Sequence, residues 1–126
     1  PALLKAQRTQ EKAARVGFDW KDAKGPIAKI REELSELEAA IDASQDTSLD
    51  MAVKDELGDL AFAVANLARH LKADAESALD NATRKFSRRF RAVEAGAKAQ
   101  GRSLKDMTLG EMDALWDEAK RSERKA

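Results

Sequence analysis

Apolar residues recur every three or four positions along most of the chain, which predicts amphipathic helices. The predicted helices cover about residues 2–16 and 49–71, and three more begin near Pro26, Asp74 and Thr108. Gly17 is expected to end the first helix, because glycine adopts a left-handed backbone at little cost. Thr108 and Glu111 form a capping-box pattern at the start of the last helix. The expected fold class is therefore all-α, a bundle of about five helices with helices two to four at its core.

The second and third predicted helices each carry two separate stripes. The apolar stripes comprise Ile27, Ile30, Leu34, Leu37 and Ile41, and Val53, Leu57, Leu60, Val64 and Leu71. The polar stripe of each helix lies roughly 110–120° from its apolar stripe around the helical wheel. The polar stripes comprise Lys29, Glu33 and Glu36 on the second helix, and Glu56, Asp59, Asn66 and His70 on the third. Between residues 57 and 68 there is no lysine or arginine, although the chain has 23. We therefore expect the third helix to be covered nearly all round, with its polar stripe facing protein.

Four carboxylates are predicted to converge where these two helices pack. Two carboxylates one turn apart on a nearly buried helix repel each other unless a cation intervenes. Oxygen ligands of this kind suit Mg²⁺ or Mn²⁺. A ferritin-like di-iron site is disfavoured, because it needs Glu-x-x-His on two helices and the chain has one histidine. The alternative interpretation is an acidic face exposed to solvent.

The fourth helix carries a basic pair. Lys85 and Arg89 are four residues apart, beside Phe86 and Phe90 on the side expected to face the core. Cations close to a divalent metal site would suit a polyphosphate ligand. The alternative is a solvated basic face.

Composition narrows the classes of protein that remain. A length of 126 residues indicates one domain. The formal net charge of zero argues against a general nucleic-acid or anionic-membrane binder. The absence of cysteine excludes disulfides and thiolate metal sites. No signal peptide or membrane-spanning run is recognisable, so a cytoplasmic protein is expected. Since the chain begins at Pro1, we expect a processed chain or a domain excised from a longer one.

Several segments together resemble a known family. EELSE at 32–36 and ELGD at 56–59 resemble the EExxE…ExxD signature of the all-α nucleoside triphosphate pyrophosphohydrolases. AARVGFDW at 13–20, DELGDLAFAVANLARHL at 55–71, KFSRRF at 85–90 and Trp116 extend the similarity to the C-terminal domain of MazG-type proteins. The similarity covers almost the whole chain. MazG proteins often contain two related domains, and this chain resembles the second.

The resemblance implies roles for individual residues. The implied magnesium ligands are Glu33, Glu36, Glu56 and Asp59, and Glu32 would be a supporting acid or the base that activates water. The implied nucleotide contacts are Lys29, Lys54, Asp55, Lys85, Arg89 and Trp116, to which we add Asn66 from the polar stripe. The activity implied is hydrolysis of a nucleoside triphosphate to the monophosphate and pyrophosphate, by attack of a metal-bound water on the α-phosphorus. The family also implies a homodimer in which helices from two chains complete a four-helix-like core.

Some alternatives remain open at the level of sequence. The substrate of a related enzyme could be dUTP or phosphoribosyl-ATP, and a non-catalytic helical interaction domain would share the same helical pattern. Phe18 and Trp20 are interpreted either as core anchors or as substrate contacts. His70 is expected to have a structural role.

Overall fold

The computed structural model describes residues 1–48 and 50–125, apart from the side chain of Lys125. These described residues form α1 (Ala2–Ala14), α2 (Lys24–Ala43), α3 (Met51–His70), α4 (Ala75–Ala99), a short 3-10 helix (Leu104–Asp106) and α5 (Leu109–Lys125). The predicted all-α class with five α-helices is confirmed for this part of the chain. Among the described helices, none is both long and apolar enough to cross a membrane.

The ends of the helices follow local chemistry that the sequence indicates. Gly17 has a φ of 91°, and its N–H donates to the carbonyl of Ala14 at 3.0 Å, so the chain leaves α1 through a left-handed residue as predicted. Asp50 caps α3 by accepting hydrogen bonds from the N–H groups of Ala52 and Val53. The predicted first residue of this helix, Leu49, lies outside the described residues.

The chain divides into two compact units, of which the first is Pro1–Ala78. Within it α3 packs against both α1 and α2, around the buried residues Pro26, Leu37 and Ala63. The contact of α2 with α3 agrees with the predicted core. The contact of α1 with α3 was not part of that prediction.

A buried glutamine ties α1 to the turn between α3 and α4. Gln7 is 8% exposed. Its side-chain amide donates to the carbonyl of Ala73 at 2.8 Å, and its side-chain oxygen accepts from the N–H of Ala75 at 2.9 Å. One side chain thereby provides partners for a backbone acceptor and a backbone donor at this turn.

The apolar stripes of α2 and α3 are partly exposed, which differs from the expectation that α3 is covered nearly all round. The exposed positions recur every seven residues, and their exposed fractions run from 37% to 61%: Ile27, Leu34 and Ile41, and Leu57, Val64 and Leu71. Part of the polar stripes faces inward, since Glu33 is buried and the side chain of His70 is 9% exposed, whereas Glu36 and Asp59 are exposed. The inward face therefore combines polar residues with Leu37 and Ala63, and much of each apolar stripe lies outward.

The second unit is Leu79–Ala126. Its buried residues include Val93 and Ala97 of α4 and Ala119 of α5. The two helices approach closely at Gly96, where an added Cβ would lie 2.8 Å from a methyl carbon of Leu115. The predicted capping box is present at the start of α5, since Thr108 and Glu111 each accept a hydrogen bond from the other's backbone N–H.

Candidate functional site

Three carboxylates from α2 and α3 converge in the first unit. Glu33, Glu56 and Asp59 each offer one carboxylate oxygen, and these three oxygens lie within 4.8 Å of one another. Glu56 and Asp59 are one turn apart on α3, so both side chains leave the helix on the same side. Because α2 packs on that helix, the buried Glu33 meets them from the opposite helix.

Glu36 adds a fourth carboxylate to this cluster. It lies one turn after Glu33 on α2. The negative charge of Glu33 raises the pKa of Glu36, and burial and the charge of Glu56 raise it further. Glu33, Glu56 and Asp59 therefore converge, and Glu36 lies beside Glu33 and Glu56; the assignment of all four acids to a metal site stays a prediction.

Two oxygens of the cluster are buried without a hydrogen-bond partner among the described residues. They are Oε2 of Glu33 and Oε2 of Glu56. Burial of an ionised oxygen is costly unless a donor or a cation compensates for the lost water. The donor set consists entirely of carboxylate oxygens, which are the ligands that hard divalent cations prefer. These residues therefore fit a metal ion such as Mg²⁺.

Lys29 lies at the edge of the cluster. Its ammonium group is 3.0 Å from Oε1 of Glu33 and 3.5 Å from Oε2 of Glu32. The hydrogen bond to Glu33 and the charge of Glu32 raise the pKa of Lys29, so it remains a cation. The side chain of Glu32 is 55% exposed, and it meets the cluster through this lysine.

A cleft of about 700 Å³ opens beside the carboxylates. Its lining includes the charged residues Lys29, Glu33 and Asp59 and the aromatic residues Phe18, Trp20 and Phe62. Phe18 and Trp20 are 79% and 50% exposed, so the structure contradicts the interpretation of them as core anchors. A ligand in this cleft would meet charged oxygen and nitrogen atoms together with flat apolar rings.

Asn66, which also lines the cleft, belongs to a hydrogen-bond network that the sequence reasoning missed. Its side-chain oxygen accepts from Nε and Nη2 of Arg69, at 3.1 and 3.0 Å. Arg69 also donates to both carboxylate oxygens of Asp19, and Nε2 of His70 lies 2.9 Å from the same carboxylate. The only local signal was the position of Arg69, one turn after Asn66 and next to His70.

Lys54 and Asp55, the other predicted contacts in the first unit, are exposed in the first turns of α3. Their assignment to the nucleotide stays a prediction.

The remaining predicted contacts belong to the second unit. Lys85 is exposed. Arg89 forms an ion pair with Glu123 at 3.0 Å, and its guanidinium carbon lies 5.8 Å from the centre of the Trp116 ring. Trp116 in turn packs against Phe86, with ring centres 5.3 Å apart. Arg89 and Trp116 thus have structural partners within their own unit, and their role in binding a nucleotide stays a prediction.

The chain is similar to known proteins over nearly its whole length. A family model described as the MazG nucleotide pyrophosphohydrolase domain matches residues 22–93. The chain is 44% identical over 120 residues to the nucleoside triphosphate pyrophosphohydrolase/pyrophosphatase MazG of Thermotoga maritima, covering 95% of this chain and 44% of that protein. It is 42% identical over 123 residues to the nucleoside triphosphate pyrophosphohydrolase of Escherichia coli K12, covering 98% of this chain and 46% of that protein. The chain therefore spans less than half the length of these relatives.

Proposed function

The chain belongs to the MazG nucleotide pyrophosphohydrolase domain family, and on this premise we propose that it hydrolyses nucleoside triphosphates to the monophosphate and pyrophosphate. The observation that carries the proposal is the pair of buried, unpartnered oxygens of Glu33 and Glu56 beside a cleft that also holds Lys29. The names of the similar proteins from Thermotoga maritima and Escherichia coli support the same reaction. Because nucleoside triphosphates are made and used in the cytoplasm, we propose that location as well.

In this proposal Glu33, Glu36, Glu56 and Asp59 would together hold Mg²⁺, with Mn²⁺ as a possible substitute. When bound, the ion would supply positive charge to phosphate oxygens and lower the pKa of a coordinated water. The buried Oε2 atoms of Glu33 and Glu56, which have no hydrogen-bond partner among the described residues, would be ligands. The positive charge of the ion would offset the negative charges of Glu33 and Glu56, which raise the pKa of Glu36.

The other residues of the site would orient the substrate and handle the proton. The ammonium group of Lys29 would donate to phosphate oxygens from the rim of the carboxylate cluster. Glu32, half exposed and paired with Lys29, would accept the proton of the attacking water. The water oxygen would bond to the α-phosphorus, and the bond from that phosphorus to the α,β-bridging oxygen would break, which releases pyrophosphate. Further nucleotide contacts are proposed for Lys54, Asp55, Asn66, Lys85, Arg89 and Trp116.

A nucleotide panel that resolves pyrophosphate from orthophosphate tests the reaction. Common ribo- and deoxyribonucleoside triphosphates, dUTP and phosphoribosyl-ATP would be incubated with Mg²⁺, with EDTA, and with Mg²⁺ restored. We expect monophosphate and pyrophosphate, lost with EDTA and regained with Mg²⁺. Release of orthophosphate as the first product would contradict the proposal. Absence of both turnover and a Mg²⁺-dependent rise in melting temperature would favour the non-catalytic interaction domain.

We also propose a homodimer, since the exposed apolar stripes of α2 and α3 form a surface that a second chain could cover. Val64 and Leu57, 46% and 56% exposed, lie on the same face of α3 and would be buried at such an interface. Light scattering at micromolar concentration should give the mass of two chains. Val64→Glu should give the mass of one chain, because a buried carboxylate without a partner opposes association. A monomeric, fully active unsubstituted chain would exclude the dimer as a requirement.

A further inference from the structure

The loop between α1 and α2 carries an acidic residue between two exposed aromatic residues. Phe18 and Trp20 both line the cleft, and so does Asp19 between them. The backbone N–H of Trp20 donates to Oδ1 of Asp19 at 2.8 Å. The position of the aromatic rings therefore depends on where the carboxylate of Asp19 is held.

Two residues at the end of α3 hold that carboxylate. Arg69 binds it through both oxygens, with Nη1 donating to Oδ2 at 3.1 Å and Nη2 donating to Oδ1, and Nε2 of His70 lies 2.9 Å from Oδ1. The side chains of Arg69 and His70 are only 15% and 9% exposed, and Asn66 fixes the guanidinium from its other edge. The hydrogen bond from Arg69 holds the pKa of Asp19 well below its usual range, so the carboxylate is ionised at neutral pH. A forked, partly buried arginine–carboxylate pair of this kind restricts both partners.

Trp20 packs against the start of α2. Its ring lies against Gly25, where an added Cβ would be 2.6–2.7 Å from three of the ring carbons. Trp20 lines the cleft and is 50% exposed. A half-exposed indole in a cleft, packed against a helix, is suited to stack on another flat ring.

We propose that Asp19 is a positioning residue which, through Arg69 and His70, holds Phe18 and Trp20 as the wall of the cleft that stacks on the base of the nucleotide. This inference rests on the proposed function, which puts the triphosphate at the carboxylate part of the same cleft. The wall would then contribute to the binding of the base and leave the binding of the phosphates unchanged.

The position of the loop can be measured without substrate. The chain has two tryptophans, so a Trp116→Phe background leaves Trp20 as the only fluorescent indole. In that background Asp19→Asn should make Trp20 more accessible to acrylamide, because the neutral amide cannot form the ion pair with Arg69. Arg69→Gln should have the same effect, because it removes the other partner of this ion pair. Asp22→Asn is the matched control: it makes the same change in the same loop, where Asp22 accepts a local hydrogen bond from the N–H of Lys24.

Binding is measured with Trp116 in place, using two classes of probe. These are α,β-methylene analogues of the four common ribonucleoside triphosphates, and inorganic triphosphate, which has no base. Asp19→Asn should raise the dissociation constant of the nucleotide analogues about tenfold, as for the loss of one stacking contact. The dissociation constant of inorganic triphosphate should change by less than about twofold, and Asp22→Asn should change neither.

The outcomes separate this inference from the proposed function. Unchanged quenching of Trp20 in both Asp19→Asn and Arg69→Gln would overturn the inference, and so would equal losses of nucleotide and triphosphate affinity. If the unsubstituted chain binds the analogues and Asp19→Asn binds them equally well, only the positioning role fails. If the unsubstituted chain binds none of them, the proposed function fails, and the stacking wall fails with it.

Discussion

The acidic cluster of the first unit and two ion-paired glutamates of the second unit have different surroundings. In the first unit, Glu33 and Glu56 each keep a buried oxygen without a hydrogen-bond partner among the described residues. In the second unit, Glu111 pairs with Arg102, and Glu123 with both Arg88 and Arg89.

The two arrangements have opposite consequences for the pKa of the acids involved. The negative charge of Glu33 raises the pKa of Glu36, whereas the hydrogen bond from Arg89 lowers the pKa of Glu123. A paired carboxylate stabilises the folded chain in its charged form, while crowded carboxylates destabilise it until a cation arrives. The contrast teaches that carboxylates crowded around buried oxygens suit a bound cation, whereas the arginine pairs of Glu111 and Glu123 stabilise the fold.

The largest expected effect is on the acidic cluster of the first unit. Glu56→Gln should lower turnover by more than about a hundredfold, because it removes a ligand oxygen of the proposed metal site. Without metal, its melting temperature should stay the same or rise, since the substitution relieves repulsion between like charges. The measurements are pyrophosphate release and thermal unfolding in EDTA. Glu38→Gln, the same change at an exposed position of α2, should alter neither quantity. Turnover near that of the unsubstituted chain would remove Glu56 from the site.

A smaller effect is expected at Arg89, where a contact with phosphate and the ion pair with Glu123 predict separate losses of activity and of stability. Arg89→Ala should lower kcat/KM about tenfold, as for a lost charge-assisted contact to phosphate. It should also lower the melting temperature by a few degrees, because Glu123 loses its nearer arginine. Both quantities come from steady-state kinetics and thermal unfolding of the same preparation.

Two variants serve as controls for Arg89. Glu123→Gln should reproduce the loss of stability and keep kcat/KM, since Arg89 itself remains. Arg88→Ala should have a smaller effect on both, because the side chain of Arg88 is 61% exposed. Equal losses of activity in Arg88→Ala and Arg89→Ala would show general electrostatics and exclude a specific contact. Full activity in Arg89→Ala would leave only the structural ion pair.

The smallest effect is expected from the pH dependence of a paired acid. Hydrogen bonds from Arg102 and from the backbone of Thr108 lower the pKa of Glu111 to about 2, from an ordinary value of 4.5. Because the pKa is lower in the folded chain, ionised Glu111 stabilises the fold above about pH 4.5, and this contribution disappears as the pH falls towards about 2. The difference in melting temperature between the unsubstituted chain and Glu111→Gln should therefore shrink on acidification. Glu94→Gln, at an exposed position of α4, should show no such trend, and a constant difference for Glu111→Gln would contradict the assignment.

The sequence was most informative where the pattern is periodic and local. The apolar and polar stripes of α3 predicted the helix, and Thr108 with Glu111 predicted the cap of α5, because these features depend on residues within a few positions of one another. The four acids could be brought together from spacing alone, since two ExxE-like pairs on adjacent helices have few ways to pack.

Such patterns do not predict contacts between residues that are far apart in sequence. Asp19 and Arg69 are fifty positions apart, and no periodicity links a loop residue to the end of a later helix. The pairing of Arg89 with Glu123 was missed for the same reason. The sequence indicated more apolar surface on α3 than one chain covers, but not that Leu57 and Val64 are the exposed positions, because an apolar stripe does not indicate whether it meets its own chain or another one.

The bridge formed by Gln7 has a consequence for where this domain can be cut. The family model matches residues 22–93, a segment that contains all four acids but neither Gln7 nor the loop with Asp19. A fragment trimmed to those limits would leave the carbonyl of Ala73 and the N–H of Ala75 without their bridging side chain, exactly where the chain turns from α3 into α4. We therefore expect a fragment that begins at residue 22 to be less stable than one that includes α1.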